Sequence, residues 1–185
     1  MSERIIALDA QTTGLLVEQD HRIIEIGAVE LINQRPTGVV IDQRLNPERD
    51  IEPGAAAVHD ISCEQLTDKP RFTDIAEQLL DFINGATLII HNAPFYTGFI
   101  DAELQRLGPS WGELRDYCTV ICTRALAKSK LPGIKHSLSN LCEHYYIDHS
   151  ASTSALSHAQ LLSQLWPKLS SERAAPSSTK LWPNL

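Results

Sequence analysis

The sequence predicts an α/β protein in which a mixed β-sheet is flanked by helices. Two observations support this prediction. Short apolar segments rich in β-branched residues alternate with longer segments whose apolar residues recur at the helical period. Their order along the chain is three strands, a helix, a strand, a helix, a strand and then further helices, which indicates a mixed α/β sheet.

The first three strands come early in the chain. Residues 4–9 (RIIALD) form a short apolar run typical of a buried strand. Residues 22–33 (RIIEIGAVELIN) alternate apolar and polar side chains over their second half, as a half-buried strand does, and a third strand is predicted over 37–45. The segment 46–55 (NPERDIEPGA) is rich in Pro, Gly and charge, so it is predicted to be a loop.

Helices and short strands alternate through the rest of the chain. One helix is predicted from Thr73 to the Asn84-Gly85 stop, and another from Pro94 to the Gly108-Pro109 stop. The remaining predicted elements are strands at 86–92 and 117–123 and helices around 121–129, 137–145 and 153–166.

The chain divides into a folded domain and a short tail. A length of 185 residues is enough for one well-cored domain, which we place at residues 1–169. From Ser170 the composition changes to SSERAAPSSTKLWPNL, so residues 170–185 are predicted to be a flexible C-terminal tail. Trp182 in this tail is a loose match to a docking peptide, and a disordered end is the preferred interpretation.

Composition restricts the class of protein. No apolar stretch approaches the roughly 20 residues that span a bilayer, and the N-terminus has no signal-peptide pattern, so we expect a cytoplasmic protein without a membrane partner. The net charge of −7 argues against strong non-specific binding of nucleic acid, although it leaves room for a small local site. The four cysteines form no Cys-x-x-Cys pair and are predicted to be buried thiols.

Five segments resemble a known family in order and spacing. They are RIIEIGAVELIN (22–33), VHDISCEQLTDKPRF (58–72), LIIHNAPF (88–95), HSLSNLCEHYYID (136–148) and SALSHAQLL (154–162). Over roughly residues 4–168, the chain resembles the exonuclease domain of the epsilon, or proofreading, subunit of bacterial DNA polymerase III. That group belongs to the DEDDh exonucleases, so the resemblance implies a ribonuclease-H-like exonuclease fold.

The resemblance also implies a chemistry. Family members use a D-x-E pair on the first strand, the aspartate of an H-N-x-x-F-D motif, and the histidine and aspartate of an H-x-A-x-x-D motif. The four acids hold two divalent metal ions, which generate the attacking hydroxide and neutralise the leaving oxygen. The histidine acts as general base for the water.

In this sequence one of those five positions keeps the family's residue. Asp9 retains the first acid, and Gln11, in the segment ALDAQTTGL, stands in the place of the second. Tyr96 of HNAPFY replaces the third acid. Thr153 stands at the general-base position and His158 at the last acid. The resemblance therefore predicts a degenerate catalytic site with Asp9 as its only metal ligand.

Nearby acids offer no replacement. By the helical period, Asp101 faces away from position 96, and Glu103 lies about 10 Å further along the axis. A shifted alignment that uses Asp148 and His149 as the acid and base puts them adjacent and in the wrong order. An engineered origin explains the amide of Gln11, but not the other three replacements.

Framework residues around the degenerate site are retained. The resemblance implies nucleic-acid contacts from the turn Thr12-Thr13-Gly14, from His59 in a loop, and from His91-Asn92. Tyr96 either fills the volume left by metal and water or stacks on a base, and the first interpretation is favoured.

Three functions follow from this reading of the sequence. The leading hypothesis is a catalytically inactive homologue that binds partners of the replicative polymerase, namely a theta-like subunit, the clamp or the polymerase, and needs no cofactor. The alternative is an active 3′→5′ DNA exonuclease with an altered site, which would require Mg²⁺ or Mn²⁺. The third is a module that holds a single-stranded DNA 3′ end without cutting it, because lost carboxylates reduce the repulsion of phosphates.

Overall fold

The computed structural model describes residues 3–150 and 153–172. In this part of the chain, five strands form one sheet with the order β3-β2-β1-β4-β5. The strands are β1 (Arg4–Thr12), β2 (Ile23–Ile32), β3 (Arg35–Arg44), β4 (Thr87–Ile90) and β5 (Thr119–Cys122). All five lie where the sequence predicted strands.

The sheet is mixed, as predicted. Strands β1, β2 and β3 are antiparallel neighbours, whereas β4 runs parallel to both β1 and β5. Strand β1 extends three residues beyond the predicted segment, so Asp9 and Gln11 both lie within it, opposite Gly27 and Glu25 of β2.

Seven helices surround the sheet in the described residues. They are α1 (Pro53–His59), α2 (Phe72–Ile83), α3 (Ala93–Leu107), α4 (Leu114–Tyr117), α5 (Thr123–Lys130), α6 (Leu138–His144) and α7 (Ala155–Ser171). Short 3₁₀ turns occur at Val17–Gln19, Glu64–Leu66 and Pro109–Trp111. The predicted helices over α2 and α3 are confirmed within two residues at each end.

Helix α1 corrects the sequence prediction. The sequence analysis assigned residues 53–55 and His59 to loops. In the structure, Pro53 begins α1 and His59 ends it. The fixed φ angle of proline matches the first position of a helix, and three alanines, the best helix formers, follow Gly54. This local helix propensity outweighs the Pro/Gly composition that is typical of a loop.

Two further predictions need adjustment. Helix α7 continues to Ser171, so Ser170 and Ser171 belong to its last turn and not to a tail, while residues 173–185, including Trp182, lie outside the described residues. Of the four cysteines that were predicted to be buried, Cys118 and Cys142 are buried, whereas Cys63 is exposed.

The sheet separates two apolar clusters. On one face, α2 and α3 pack against β1, β2 and β4 through side chains such as Leu8, Phe72 and Phe99. On the other face, α5, α6 and α7 pack through residues such as Ala7, Leu162 and Trp166. Within the described ranges, no helix has the length and apolar character needed to cross a membrane.

Candidate functional site

A buried carboxylate occupies the centre of the candidate site. Asp9 lies on the central strand β1 and is 5% exposed. His158 Nδ1 donates to Asp9 Oδ2 over 2.9 Å, and the Tyr96 hydroxyl donates to the same carboxylate. The structure thus brings together three of the residues that the sequence placed at the site, although they are separated by as many as 149 positions in the chain.

The electrostatics of these groups follow from burial. Burial raises the pKa of Asp9 above its usual value, and the hydrogen bonds and positive charge of His158 oppose that shift. Burial and then the Asp9 charge raise the pKa of the Tyr96 hydroxyl, so Tyr96 is neutral and acts as a donor. The site therefore contains one carboxylate that is satisfied by two side-chain donors.

Helix α7 reaches Asp9 because its first turn is fixed on β2. The Glu25 carboxylate accepts a hydrogen bond from the backbone N–H of Ala155 at 2.7 Å, which satisfies one of the unpaired amides at a helix start. A Cβ atom on Gly27 would lie 2.1 Å from the backbone nitrogen of Leu156, so only glycine permits this close approach. One turn further along the helix, His158 lies against Asp9.

Helix α3 places Tyr96 against the same carboxylate. Asn92 caps this helix in the left-handed conformation, with φ of 66°, which asparagine tolerates better than most residues. The ring of Phe95 contacts Tyr96 edge-on, with centroids 4.9 Å apart. Tyr96 is therefore held in position from both sides, by an aromatic contact and by a hydrogen bond.

Tyr96 separates two cavities, which we call the acid cavity and the apolar cavity. The acid cavity has a volume of about 290 Å³, and Asp9, His91, Tyr96, His149 and His158 contribute to its wall. The apolar cavity has a volume of about 310 Å³ and is lined on the other side of Tyr96 by residues of β1, α1 and α3, including Gln11. Gln11 lines the apolar cavity, whereas Asp9 lines the acid cavity.

His91 belongs to the framework of the acid cavity. Its Nε2 donates to the carbonyl oxygen of His136 at 3.0 Å, and its Nδ1 lies 3.1 Å from the hydroxyl of Thr123. Burial lowers the pKa of His91 to about 4, so the ring is neutral with its proton on Nε2. Both ring nitrogens are thus occupied by protein groups.

The remaining residues predicted to contact nucleic acid have mainly structural environments. Thr12 donates to the carbonyl of Gly14 at 2.7 Å, and the Thr13 hydroxyl, fully buried, lies 2.9 Å from His21 Nδ1. His59 is buried and accepts a hydrogen bond from the backbone N–H of Ile61. Thr12, Gly14 and His59 still contribute to the wall of the apolar cavity.

Thr153 lines neither cavity. It is exposed and precedes Ser154, the N-cap of α7, so the predicted helix start at residue 153 is two residues too early. His149, which was considered only as the base of a rejected alignment, lines the acid cavity. Its position could not be inferred from the sequence, because it depends on the conformation of the chain between α6 and α7.

The three other acids considered in the sequence have their own partners. Asp101 accepts the backbone N–H of Leu114 at 2.7 Å. Glu103 is 1% exposed and forms two hydrogen bonds of 2.7 Å with Arg22. Asp148 accepts from the backbone and hydroxyl of Ser150. None of them lines the acid cavity.

The donor set around Asp9 does not match a site for hard divalent ions. Mg²⁺ takes oxygen ligands in near-octahedral geometry, and paired ions need several carboxylates. Here the groups adjoining Asp9 are an imidazole and a neutral phenol. No three His, Cys, Asp or Glu side chains in the described part of the chain are arranged to hold a metal ion.

Comparison with known proteins shows which family the chain belongs to. Residues 6–162 match the exonuclease (RNase T) family. The DNA polymerase III epsilon subunit of Salmonella typhimurium is 43% identical over 169 residues, which cover 88% of this chain and 70% of that protein. The epsilon subunit of Rickettsia felis is 42% identical over 174 residues, covering 93% of this chain and 76% of that protein.

Solved structures show the same fold. Exonuclease X in complex with 5′-overhanging duplex DNA superposes with a TM-score of 0.66 at 24% identity, over 89% of this chain and 91% of that one. Escherichia coli exonuclease I in complex with a dT13 oligonucleotide gives a TM-score of 0.76 at 14% identity, over 92% of this chain but 41% of that one. The fold is thus the ribonuclease-H-like exonuclease fold, and the chain belongs to the exonuclease family as a homologue of the DNA polymerase III epsilon subunits.

Proposed function

We propose that this protein is a catalytically silent member of the exonuclease family that acts by binding partners. The observation that supports this proposal is the state of Asp9. Its carboxylate is buried and hydrogen-bonded to His158 and Tyr96, which stand where family members are expected to have carboxylates. A metal ion at Asp9 would have to displace both donors, and among the described residues no other acid lines the acid cavity.

The proposed loss affects both parts of the family's chemistry. Two metal ions activate the water and stabilise the leaving oxygen, and both tasks require a cage of carboxylates. The general base is also absent, because Thr153 has no titratable side chain and is exposed before α7. Loss of a general base alone typically lowers the rate on the order of 10²–10⁴-fold, because that is what assisted proton transfer contributes to catalysis.

The proposed partners are components of a replicative polymerase. The relatives with 41–43% identity are DNA polymerase III subunits, so a theta-like subunit, the polymerase subunit and the sliding clamp are the first candidates. The chain matches 70–76% of the length of those relatives. Binding to each purified component, measured by surface plasmon resonance with the full chain immobilised, tests this part of the proposal.

Catalytic silence is tested with a 3′-labelled and a 5′-labelled single-stranded oligonucleotide. We expect no digestion above background in millimolar Mg²⁺ or Mn²⁺, with or without chelator. The matched control is Asp9→Asn, which should behave like the unmodified protein. Chelator-sensitive digestion that Asp9→Asn abolishes would instead establish an exonuclease with an altered metal site.

A further inference from the structure

We propose that a basic surface on α5 and the loop after it is a docking site for an acidic segment of a partner protein. The basic surface consists of Arg124, Lys128 and Lys135, none of which lines the acid cavity or the apolar cavity. This inference rests on the proposed function, because it names the chemistry of a partner that a catalytically silent member would bind.

The basic surface belongs to a stretch of sequence that contains no acid. Residues 117–142 include four Lys or Arg side chains and neither Asp nor Glu. Because the whole chain has a net charge of −7, the residues outside this stretch together carry a charge of −11. Positive charge is therefore concentrated in one part of an acidic protein, and a field of this kind attracts anionic partners and steers their approach.

The three cations are exposed and have no acidic partner. No carboxylate in the described ranges lies within ion-pair distance of Arg124, Lys128 or Lys135, whereas five other arginines each pair with one. Lys130, the fourth cation of the stretch, instead donates to two carbonyl oxygens at the end of α7, at 2.8 and 3.1 Å. The basic surface thus keeps charges that the rest of the described protein does not neutralise.

Helix α5 carries these charges where its own stability does not favour them. Arg124 lies in the first turn, where the positive end of the helix dipole favours acids, and that turn contains no acid. Lys128 lies four positions later on the same face, so the two like charges repel each other. A local preference that is broken in this way is typical of a functional site.

Contacts around His91 hold the loop beside α5. The His136 ring donates to the first carbonyl oxygen of its own loop at 2.8 Å, which closes the loop that carries Lys135. The carbonyl oxygen of His136 accepts from His91 Nε2 at 3.0 Å, and the hydroxyl of Thr123, at the start of α5, lies 3.1 Å from His91 Nδ1. One ring therefore joins the two segments, and Lys135 and Arg124 are exposed on adjoining parts of the chain.

An acidic polypeptide fits the basic surface better than a nucleic acid does. Sites for single-stranded nucleic acids combine cations with aromatic side chains on which the bases stack. Residues 123–136 contain no Phe, Tyr or Trp. A nucleic acid would also extend onto the acidic remainder of the protein and be repelled there, whereas a short run of Asp and Glu needs to contact only the basic surface.

Fluorescence anisotropy with the full chain at low ionic strength tests this proposal. The labelled probes are acetyl-Glu-Asp-Glu-Asp-Glu-Asp-amide, its counterpart with Gln and Asn, and a single-stranded oligothymidylate of equal charge. We expect saturable binding of the acidic peptide, which added salt weakens, and no binding of the neutral peptide.

Charge reversal locates the binding site. Lys128→Glu should weaken binding of the acidic peptide about tenfold or more, because the new carboxylate repels the peptide and pairs with Arg124. Lys135→Glu should act in the same direction. Lys69→Glu is the matched control with the same change in net charge, since Lys69 is exposed and precedes α2, which packs on the opposite face of the sheet from α5.

Three outcomes would overturn the inference. Equal weakening by Lys128→Glu and Lys69→Glu would show that net charge alone decides binding. Oligothymidylate that binds at equal or lower concentration than the peptide, and that Lys128→Glu also weakens, would show a nucleic-acid surface. If the acidic peptide does not bind, the docking assignment fails, while the oligonucleotide digestion assay decides catalytic silence independently of this result.

Discussion

Two buried carboxylates on neighbouring strands meet helix α7 in different ways. Glu25 on β2 is 2% exposed and binds the backbone N–H of Ala155, and its other oxygen accepts from Arg44 at 3.2 Å. Asp9 on β1 is 5% exposed and binds the side chain of His158. The Glu25 contact is independent of the side chain on the helix, whereas the Asp9 contact depends on it.

This difference explains how one helix can keep its position while the chemistry beside it changes. Two contacts hold the start of α7 on β2: the hydrogen bond from Ala155 to Glu25 and the close approach at Gly27. We call them together the anchor. Both use backbone atoms of α7, so replacing the side chain at position 158 leaves them in place. The site at Asp9 is then free to change its residues without loss of the fold. The following variants test the two contacts separately.

The largest expected effect comes from rebuilding the site on the intact anchor. The full chain with Gln11→Glu, Tyr96→Asp, Thr153→His and His158→Asp should gain Mg²⁺-dependent 3′→5′ cleavage of single-stranded DNA, at least about 10²-fold above background. Cleavage of a labelled oligonucleotide with and without chelator measures this gain. Recovery should be incomplete, because neighbours such as Phe95 are arranged around the larger tyrosine ring.

The matched control for the rebuilt site is the variant that retains His158 and carries the other three changes. It lacks one acid of the metal cage and should stay at background. Activity in this control, or inactivity of the fourfold variant with an unchanged circular-dichroism spectrum, would contradict the idea that the anchor alone preserves the geometry.

Gly27→Ala should damage the anchor most. Its Cβ would lie 2.1–2.4 Å from backbone atoms of Ala155 and Leu156, which cannot rotate away, so α7 would have to shift. We expect a loss of about 3 kcal/mol in the free energy of unfolding, measured by urea denaturation. Gly98→Ala, in α3 with open space around it, should be neutral or stabilising by about 0.5–1 kcal/mol. Equal effects of the two substitutions would refute the close-approach explanation.

Glu25→Gln should have a smaller effect on the same anchor. The amide keeps the volume but weakens the acceptor at the α7 N-terminus and removes the charge that pairs with Arg44. A loss of about 2 kcal/mol in unfolding free energy is expected. Glu30→Gln, which disrupts the pair between Arg4 and a more exposed carboxylate, should cost about 1 kcal/mol or less. A larger loss for Glu30→Gln would show that burial is not what distinguishes Glu25.

The smallest expected effect is that of Asp9→Asn. Burial raises the pKa of Asp9 in the folded protein. Ionisation of this carboxyl therefore opposes folding once the pH exceeds the usual pKa of an aspartate. An uncharged residue of the same shape should then lose little stability at pH 7. The unfolding free energy should change by about 1 kcal/mol or less. Addition of Mg²⁺ should leave the urea midpoints of both proteins unchanged, and a Mg²⁺-dependent stabilisation confined to Asp9 would indicate a metal site.

The sequence predicted the sheet and the long helices because their signals are local. The alternation in β2 and the apolar face of α2 are read within ten or twelve residues. Helix α1 was missed because Pro53 and Gly54 are typical of loops, although proline at the first helical position and the alanines after it favour a helix.

The site was predicted only in part, for a different reason. The family resemblance placed Asp9 near position 158, but the division of the cleft by Tyr96 depends on the volume and direction of one ring. The role of Glu25 depends on a hydrogen bond between residues 130 positions apart. Such contacts have no local pattern in the sequence, so they become visible only in three dimensions.

The close approach of α7 to β2 at Gly27 also has a kinetic consequence. Strands β1 and β2 can pair as soon as the first third of the chain is available, but the cleft lacks a wall until α7 docks more than 120 residues later. Closing so long a loop is entropically costly and slows folding relative to local contacts. During synthesis β1 and β2 can therefore pair before the site is complete, and the apolar face that α7 later covers is exposed to aggregation until α7 docks.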